Sequence, residues 1–245
     1  MWNCNSVKNP IVPGAVITKE GKKGTDATLY KQLVGCLMYL TVTRPDLMFV
    51  VCLIAHFMAD PKEEHMLIAK RVLRFLKGTL DIGVFYGRSP NMNLVGYTDN
   101  DYARDVEDRQ STFGYMFMLN GAAICWSSRK QDIVTLSSTA ATSSACHCVW
   151  LKGMLQELNA VSDECINIMC DNSSVIKLSK NQVMLRRTKH IDVRYHYLCN
   201  LTNEGVMKLV FCGTNYQVAD ILTKPIKLDQ FEKLRWSLGV QRLEG

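Results

Sequence analysis

Three aspartates in this 245-residue chain stand where carboxylates can converge. Asp99 follows a short alternating run, Asp171 ends another, and Asp220 lies in a helical stretch after a third. If the strands leading to Asp99 and Asp171 are neighbours, their adjacent ends bring both side chains to one cleft on rigid elements. Converging carboxylates repel, so a cation or a proton must sit among them. Mg²⁺ is a hard ion that takes oxygen ligands and keeps positions open for water and phosphate. Two such ions about 4 Å apart can clamp the attacking and leaving oxygens of a phosphodiester. Taken singly, each Asp fits a turn or a helix cap better than a ligand role, and it is their joint placement that points to chemistry.

Other reactive residue types give a weaker pattern. The ten cysteines include no CxxC pair, and they fall mostly in apolar runs. Cys146-His147-Cys148 is their one cluster, and neighbouring positions on a helix point in different directions. They read as buried free thiols of a reducing compartment, not as a zinc site.

The elements that would position the aspartates follow from periodicity. Residues 1–29 are polar and carry Pro10, Pro13, Gly14 and Gly24, so a loop or extended arm is expected. Helical runs are expected at Tyr30–Thr43, at Leu47–Met58 and again after Pro61, where Met66, Ala69, Val72, Leu73 and Leu76 are helically spaced. Lys70, Arg71, Arg74 and Lys77 give the third helix a basic face, either solvated or facing a polyanion. Gly83, Gly87, Ser89 and Pro90 mark a linker within 81–93, with a domain boundary near 88–91.

Strands are expected at Met92–Tyr97, Gly114–Leu119 and Ala122–Ser127, the last two joined by a tight Asn120-Gly121 turn. A helix capped by Ser137, Ser138 or Thr139 follows, with Ala141, Ser144, Cys148, Leu151, Leu155 and Leu158 as its apolar stripe. Next come a strand Cys165–Cys170, helices Asn172–Lys180 and Ile191–Asn203, and a strand Val206–Cys212. Closing helices are expected at Tyr216–Thr223 and Leu228–Leu238, with Phe231, Leu234 and Leu238 in the core. This order implies an α/β (α+β) domain, a mixed sheet with helices on its faces.

Bulk properties agree with a folded, intracellular protein of cytoplasm or nucleus. Apolar residues make up 47% and charged residues 21%, enough for a sizeable core. A net charge of +6 leans towards a polyanionic partner, though weakly by itself. The start, Met1-Trp2-Asn3-Cys4, has no basic and apolar leader pattern, and Leu47–Met58 is too short for a membrane span.

The motifs then resemble one family. Val95-Gly96-Tyr97-Thr98-Asp99-Asn100-Asp101-Tyr102-Ala103, Trp126-Ser127-Ser128-Arg129-Lys130-Gln131, Cys170-Asp171-Asn172, Arg187-Thr188-Lys189-His190-Ile191-Asp192 and Ala219-Asp220-Ile221-Leu222-Thr223-Lys224-Pro225 look like the ribonuclease H segment of copia-type retrotransposon Pol polyproteins. Leu33-Val34-Gly35-Cys36, Thr43-Arg44-Pro45-Asp46 and Ala69-Lys70-Arg71-Val72-Leu73-Arg74 resemble the tail of the reverse transcriptase before it. The resemblance runs in order along nearly the whole chain. It implies a helical reverse-transcriptase remnant over 1–88 and a ribonuclease H-like domain over 91–240, with a five-stranded mixed sheet.

It also implies hydrolysis of RNA in RNA–DNA hybrids with two Mg²⁺ ions held by Asp99, Asp171 and Asp220. No membrane, no small-molecule cofactor and no polymerase chemistry are implied, because the paired polymerase aspartates are absent from the chain. Where the family reads Leu-Ser-Ser-Thr-Glu-Ala-Glu, this chain reads Leu136-Ser137-Ser138-Thr139-Ala140-Ala141-Thr142. Thr142 stands in the place of the fourth carboxylate, so an impaired nuclease is expected; the alternative is a catalytically silent fragment that at most binds nucleic acid. Arg104 and Gln182 also depart from the family's Gly and Pro. Asn100, Asn172 and Ser173 would meet 2′-hydroxyls. Arg186, Arg187, Lys189 and Arg194 would meet phosphates, or form a solvated loop. His190 and His196 fit either a chemical role or packing within their own segment.

Overall fold

The computed structural model describes residues 3–15, 17–22, 25–88, 92–101, 110–131, 138–160, 165–180 and 192–242. Three helices lead: α1 (Ala27–Leu40), α2 (Met48–Ala55) and α3 (Glu63–Lys77). The first begins three residues earlier than its apolar spacing indicates, because the Asp26 carboxylate accepts the N–H of Thr28 at 2.9 Å and of Leu29 at 3.1 Å. The expected linker contains a short strand, β1 (Ile82–Val84), which pairs with the last strand.

Then come β2 (Leu94–Asp101), β3 (Thr112–Leu119), β4 (Ala122–Lys130), α4 (Ser138–Glu157), β5 (Ile166–Cys170), α5 (Ser173–Lys180), α6 (Asp192–Asn203) and β6 (Met207–Phe211). The expected closing helix over Tyr216–Thr223 is instead two short 3₁₀ turns, Thr214–Tyr216 and Val218–Leu222. The chain closes with α7 (Leu228–Ser237) and β7 (Val240–Arg242).

Five strands form one mixed sheet in the order β4-β3-β2-β5-β6. β3 runs antiparallel to both β4 and β2, while β5 and β6 run parallel to β2. This is the five-stranded mixed sheet with flanking helices that the family resemblance implies. Asn120 and Gly121 take positive φ values of 53° and 80°, the twist that a two-residue hairpin between right-twisted strands requires.

Both faces of the sheet are covered. Phe113, Tyr115 and Phe117 of β3 pack on α4, α5 and α6 with Ile166 and Ile168. Met116 and Met118, alternating with them, join a second core with Tyr30, Val34, Leu47, Ile54, Phe75, Phe231 and Leu234. β3 is therefore buried throughout its interior, as a central strand between two helical layers must be. The apolar stripe of α4 is buried from Ala141 to Leu155, but Leu158 lies past the helix end and is exposed. Of the candidate caps, Ser137 lies outside the described residues, while Ser138 and Thr139 form the first helical residues of α4, with their side chains outside what is described.

The basic face of α3 grips the N-terminal arm. Arg74 donates to the Asn5 carbonyl at 2.7 Å, Lys77 to the Cys4 carbonyl at 2.9 Å, and Arg71 to the Asn9 side chain. All ten cysteines are free, but only Cys148, Cys170, Cys199 and Cys212 are buried, and Cys36 and Cys146 are exposed. No helix among the described residues is long and apolar enough to cross a membrane.

Candidate metal centre

Two parallel strands bring the first two aspartates together. β2 and β5 pair in register from Val95 with Asn167 to Thr98 with Cys170, so Asp99 and Asp171 leave that register side by side. Asp99 does not follow its strand, as the sequence pattern indicates; it lies inside β2, opposite Gly114 of β3. Asp220 arrives on the 3₁₀ turn Val218–Leu222. One ligand atom from each of Asp99, Asp171 and Asp220 lies within 4.8 Å of the others. Asp99 and Asp220 are buried and Asp171 is half-buried.

A layer of supporting residues fixes this geometry. Fully buried Gln217 donates through Nε2 to the Thr98 carbonyl at 3.0 Å, and its Oε1 accepts the Ala219 N–H at 3.2 Å. It thus ties the 3₁₀ turn to β2 one residue before Asp99. The Thr223 hydroxyl donates to Asp99 Oδ2 at 2.5 Å. Lys224 Nζ stands 2.9 Å from Asp220 Oδ1 and 3.8 Å from Asp99 Oδ2. Sequence patterning assigns Gln217, Thr223 and Lys224 no role, although the i,i+4 spacing of Asp220 and Lys224 is the one signal that could have found the ion pair.

The electrostatics follow from this crowding. Burial, then the Asp99 charge, push the Asp220 carboxyl up, against the pull of Lys224. Asp171 is raised by the same two causes in the same order. Burial alone would lower the Lys224 ammonium, but Asp99, Asp220 and Asp101 outweigh it and leave it raised. Burial also pushes the neighbouring Cys170 thiol up to about 11 and Cys212 up to about 12.

The cluster opens into a cleft of about 370 Å³ lined by Thr98, Asp99, Asn100, Ala140, Ala141, Asp171, Asn172, Ser173 and Lys224, among others. Both polar atoms of the Asn100 amide are buried and without a hydrogen-bond partner among the described residues, so this side chain has capacity left for a ligand. Asn172 is partly committed elsewhere, because its Oδ1 caps α5 by accepting from Ser174 N at 3.0 Å and Val175 N at 3.3 Å. Ser173 is exposed at the cleft. Thr142, one residue beyond the two alanines that line the cleft, is half-buried on α4. Among the described residues no fourth acidic side chain joins the cluster.

Arg186, Arg187, Lys189, His190, Arg104 and Gln182 lie outside the described residues, as does the side chain of Arg194. His196 is exposed on α6. His147 stacks on Tyr115 with ring centroids 4.8 Å apart, and exposed Cys146 and buried Cys148 do not meet in a metal cluster.

Comparison with known proteins gives the class. No protein-family model matches the chain. It is 38% identical over 253 residues to the retrovirus-related Pol polyprotein from transposon TNT 1-94 of Nicotiana tabacum, covering 98% of this chain and 19% of that protein. It is 36% identical over 249 residues to the corresponding polyprotein from transposon RE1 of Arabidopsis thaliana, covering 99% and 17%. A solved structure titled as LC11-RNase H1 in complex with RNA/DNA hybrid aligns at TM-score 0.38 and 14% identity, over 54% of this chain and 94% of that one.

The chain belongs to the retrovirus-related Pol polyproteins of copia-type transposons. It spans 19% and 17% of the length of the two polyproteins.

Proposed function

We propose that this chain is a divalent-metal-dependent ribonuclease H that cuts the RNA strand of RNA–DNA hybrids, with its rate impaired by Thr142. The observation that carries the reading is the meeting of Asp99, Asp171 and Asp220 within 4.8 Å. A donor set of three carboxylates beside an open polar cleft fits a hard divalent ion such as Mg²⁺. The residues themselves argue for a cation, since Asp171 and Asp220 are both held above the ordinary carboxylate range by burial and by Asp99. Asp99, Asp171 and Asp220 would hold two ions, which when bound supply activation of water and relief of charge on the phosphodiester.

The chain's own residues do the rest. Asp99, fixed by the Thr223 hydroxyl, shares one point with the other two carboxylates. Asn100, whose amide finds no partner among the described residues, and Ser173, at the cleft mouth, are placed to meet sugar hydroxyls, and the amide nitrogen of Asn172 can join them. Arg186, Arg187, Lys189 and Arg194 would bind phosphates without sequence preference. The reading assigns residues 1–88 to a reverse-transcriptase tail and 91–240 to the nuclease.

A second reading, a silent fragment that at most binds hybrid, is favoured by one observation. Ala140 lines the cleft where the copia-type pattern places its first glutamate, and position 142, where it places the second, offers a neutral hydroxyl. The two readings separate in a cleavage assay with an RNA-labelled hybrid in Mg²⁺ and Mn²⁺. Slow cleavage that Asp99→Asn abolishes is the expected result. Rapid cleavage would show that position 142 is not a ligand position, and cleavage that survives Asp99→Asn would remove the cluster from the chemistry.

A further inference from the structure

Lys224 is the one cation that the described residues place against the carboxylate cluster, and its position is anchored by the main chain. Its N–H donates to the Asp220 carbonyl at 3.2 Å, and the preceding residue, Thr223, is tied to Asp99 through its hydroxyl. The ammonium therefore arrives two residues past the end of the 3₁₀ turn that delivers Asp220. Its side chain is 17% exposed, and it reaches oxygens of side chains that are 4% and 5% exposed.

A buried pair of like charges is tolerated only with a compensating charge nearby. In this chain Lys224 supplies that charge, and it does so on the very oxygens that a divalent ion would take. An ammonium and a metal ion cannot both hold Asp220 Oδ1 without facing each other across it.

We propose that Lys224 is a positioning residue, the resident counter-charge of the cluster: it keeps Asp99 and Asp220 in place without a divalent ion and has to leave their oxygens for one to bind. Divalent affinity is thereby set from inside the chain. The absence of a carboxylate at position 142 sharpens the competition, because the ammonium already cancels one of only three negative charges. The identity of the competing ion rests on the nuclease reading; the counter-charge role does not.

The test uses the full chain as wild type, Lys224→Met, Lys224→Arg and the double variant Lys224→Met with Asp220→Asn. Thermal midpoints are measured in chelator and in saturating Mn²⁺, and Mn²⁺ binding is followed by electron paramagnetic resonance. In chelator Lys224→Met melts below wild type, Lys224→Arg stays close to it, and the double variant recovers much of the loss. Mn²⁺ restores Lys224→Met and binds it about tenfold or more tighter than wild type, as removal of a nearby unit charge requires.

If Lys224→Met is unfolded in chelator, refolding by Mn²⁺ or rescue by Asp220→Asn gives the same support. A deficit that neither Mn²⁺ nor Asp220→Asn relieves would reduce Lys224 to a packing residue and overturn the proposal. So would Mn²⁺ affinity no tighter in Lys224→Met than in wild type. Failure of the nuclease reading looks different: the RNA strand stays intact, while the deficit in chelator and its rescue by Asp220→Asn persist.

Discussion

Replacing Thr142 with Glu adds a fourth carboxylate beside a cluster whose three oxygens lie within 4.8 Å. The position is half-buried and adjoins Ala140 and Ala141, both of which line the cleft. Two unit charges about 4 Å apart interact by about 4 kcal/mol at an effective dielectric of about 20, and a divalent ion doubles the charge on one side. Desolvating a half-buried carboxylate and repulsion from the other three absorb part of this. A net gain of about 3 kcal/mol remains, which matches the roughly 10²–10³ in rate that one electrostatic group typically supplies.

The same charge has a cost without metal. Repulsion of about 1 kcal/mol or more in chelator lowers the melting point by about 2–4 °C per kcal/mol in a chain of this size. Thr142→Glu should therefore cleave an RNA-labelled hybrid about 10²-fold faster than wild type, melt lower in chelator, and recover in Mg²⁺. Initial rates across a Mg²⁺ series, with the Asp99→Asn version of each protein as control, measure the first effect; melts with and without Mg²⁺ measure the second. A variant no faster than wild type at any Mg²⁺ concentration, with an unchanged melt in chelator, would mean that residue 142 faces away from the cluster.

Two further predictions test how the site is held. Gly114 lies opposite Asp99, and a Cβ there would stand 2.7 Å from Leu222 Cβ and 3.0 Å from Thr223 Cγ2. Gly114→Ala should cost about 1–3 kcal/mol of stability by overpacking and weaken Mn²⁺ binding by displacing the Thr223 hydroxyl from Asp99; wild-type stability and affinity would contradict this. Asp46 is buried and pairs with Arg44 through two hydrogen bonds of 2.9 and 2.8 Å, while Arg44 also donates to Thr79. Asp46→Ala leaves a buried guanidinium without its charge partner and should cost about 3–5 kcal/mol in urea unfolding, and a loss well under that range would mean the pair is solvated.

Much of this was legible because it is local or periodic. The Asn120-Gly121 turn, the stripe of α4 and the alternation of β5 are fixed by backbone sterics and burial, and they sit where their residues place them. The misreadings share a cause, which is that a distant partner decides the outcome. Thr98-Asp99-Asn100-Asp101 has no apolar alternation, so the first strand appears to stop at Tyr97; pairing with β3 carries it on to Asp101, and Thr98, Asp99 and Asn100 line the cleft. β1 has three residues, and its partner β7 is at the far end of the chain. The basic face of α3 finds carbonyls of an arm that periodicity leaves as loop.

The candidate site divides the same way. The convergence of Asp99 and Asp171 follows once two parallel strands are neighbours, but Asp220 needs the 3₁₀ turn, and that turn is held by tertiary packing. Ile221 and Leu222, its last two residues, lie in the core built by α1, α2, α3 and α7, whereas Cys170, next to Asp171, lies in the core under α4, α5 and α6. The three carboxylates therefore meet at a seam between two cores on opposite faces of one sheet. Loosening the helical lead, as Asp46→Ala would, moves Asp220 and Lys224 together and leaves Asp99 and Asp171 on their strands. A cluster assembled from both faces depends on the leading helices for its last carboxylate, even though none of those helices supplies a ligand.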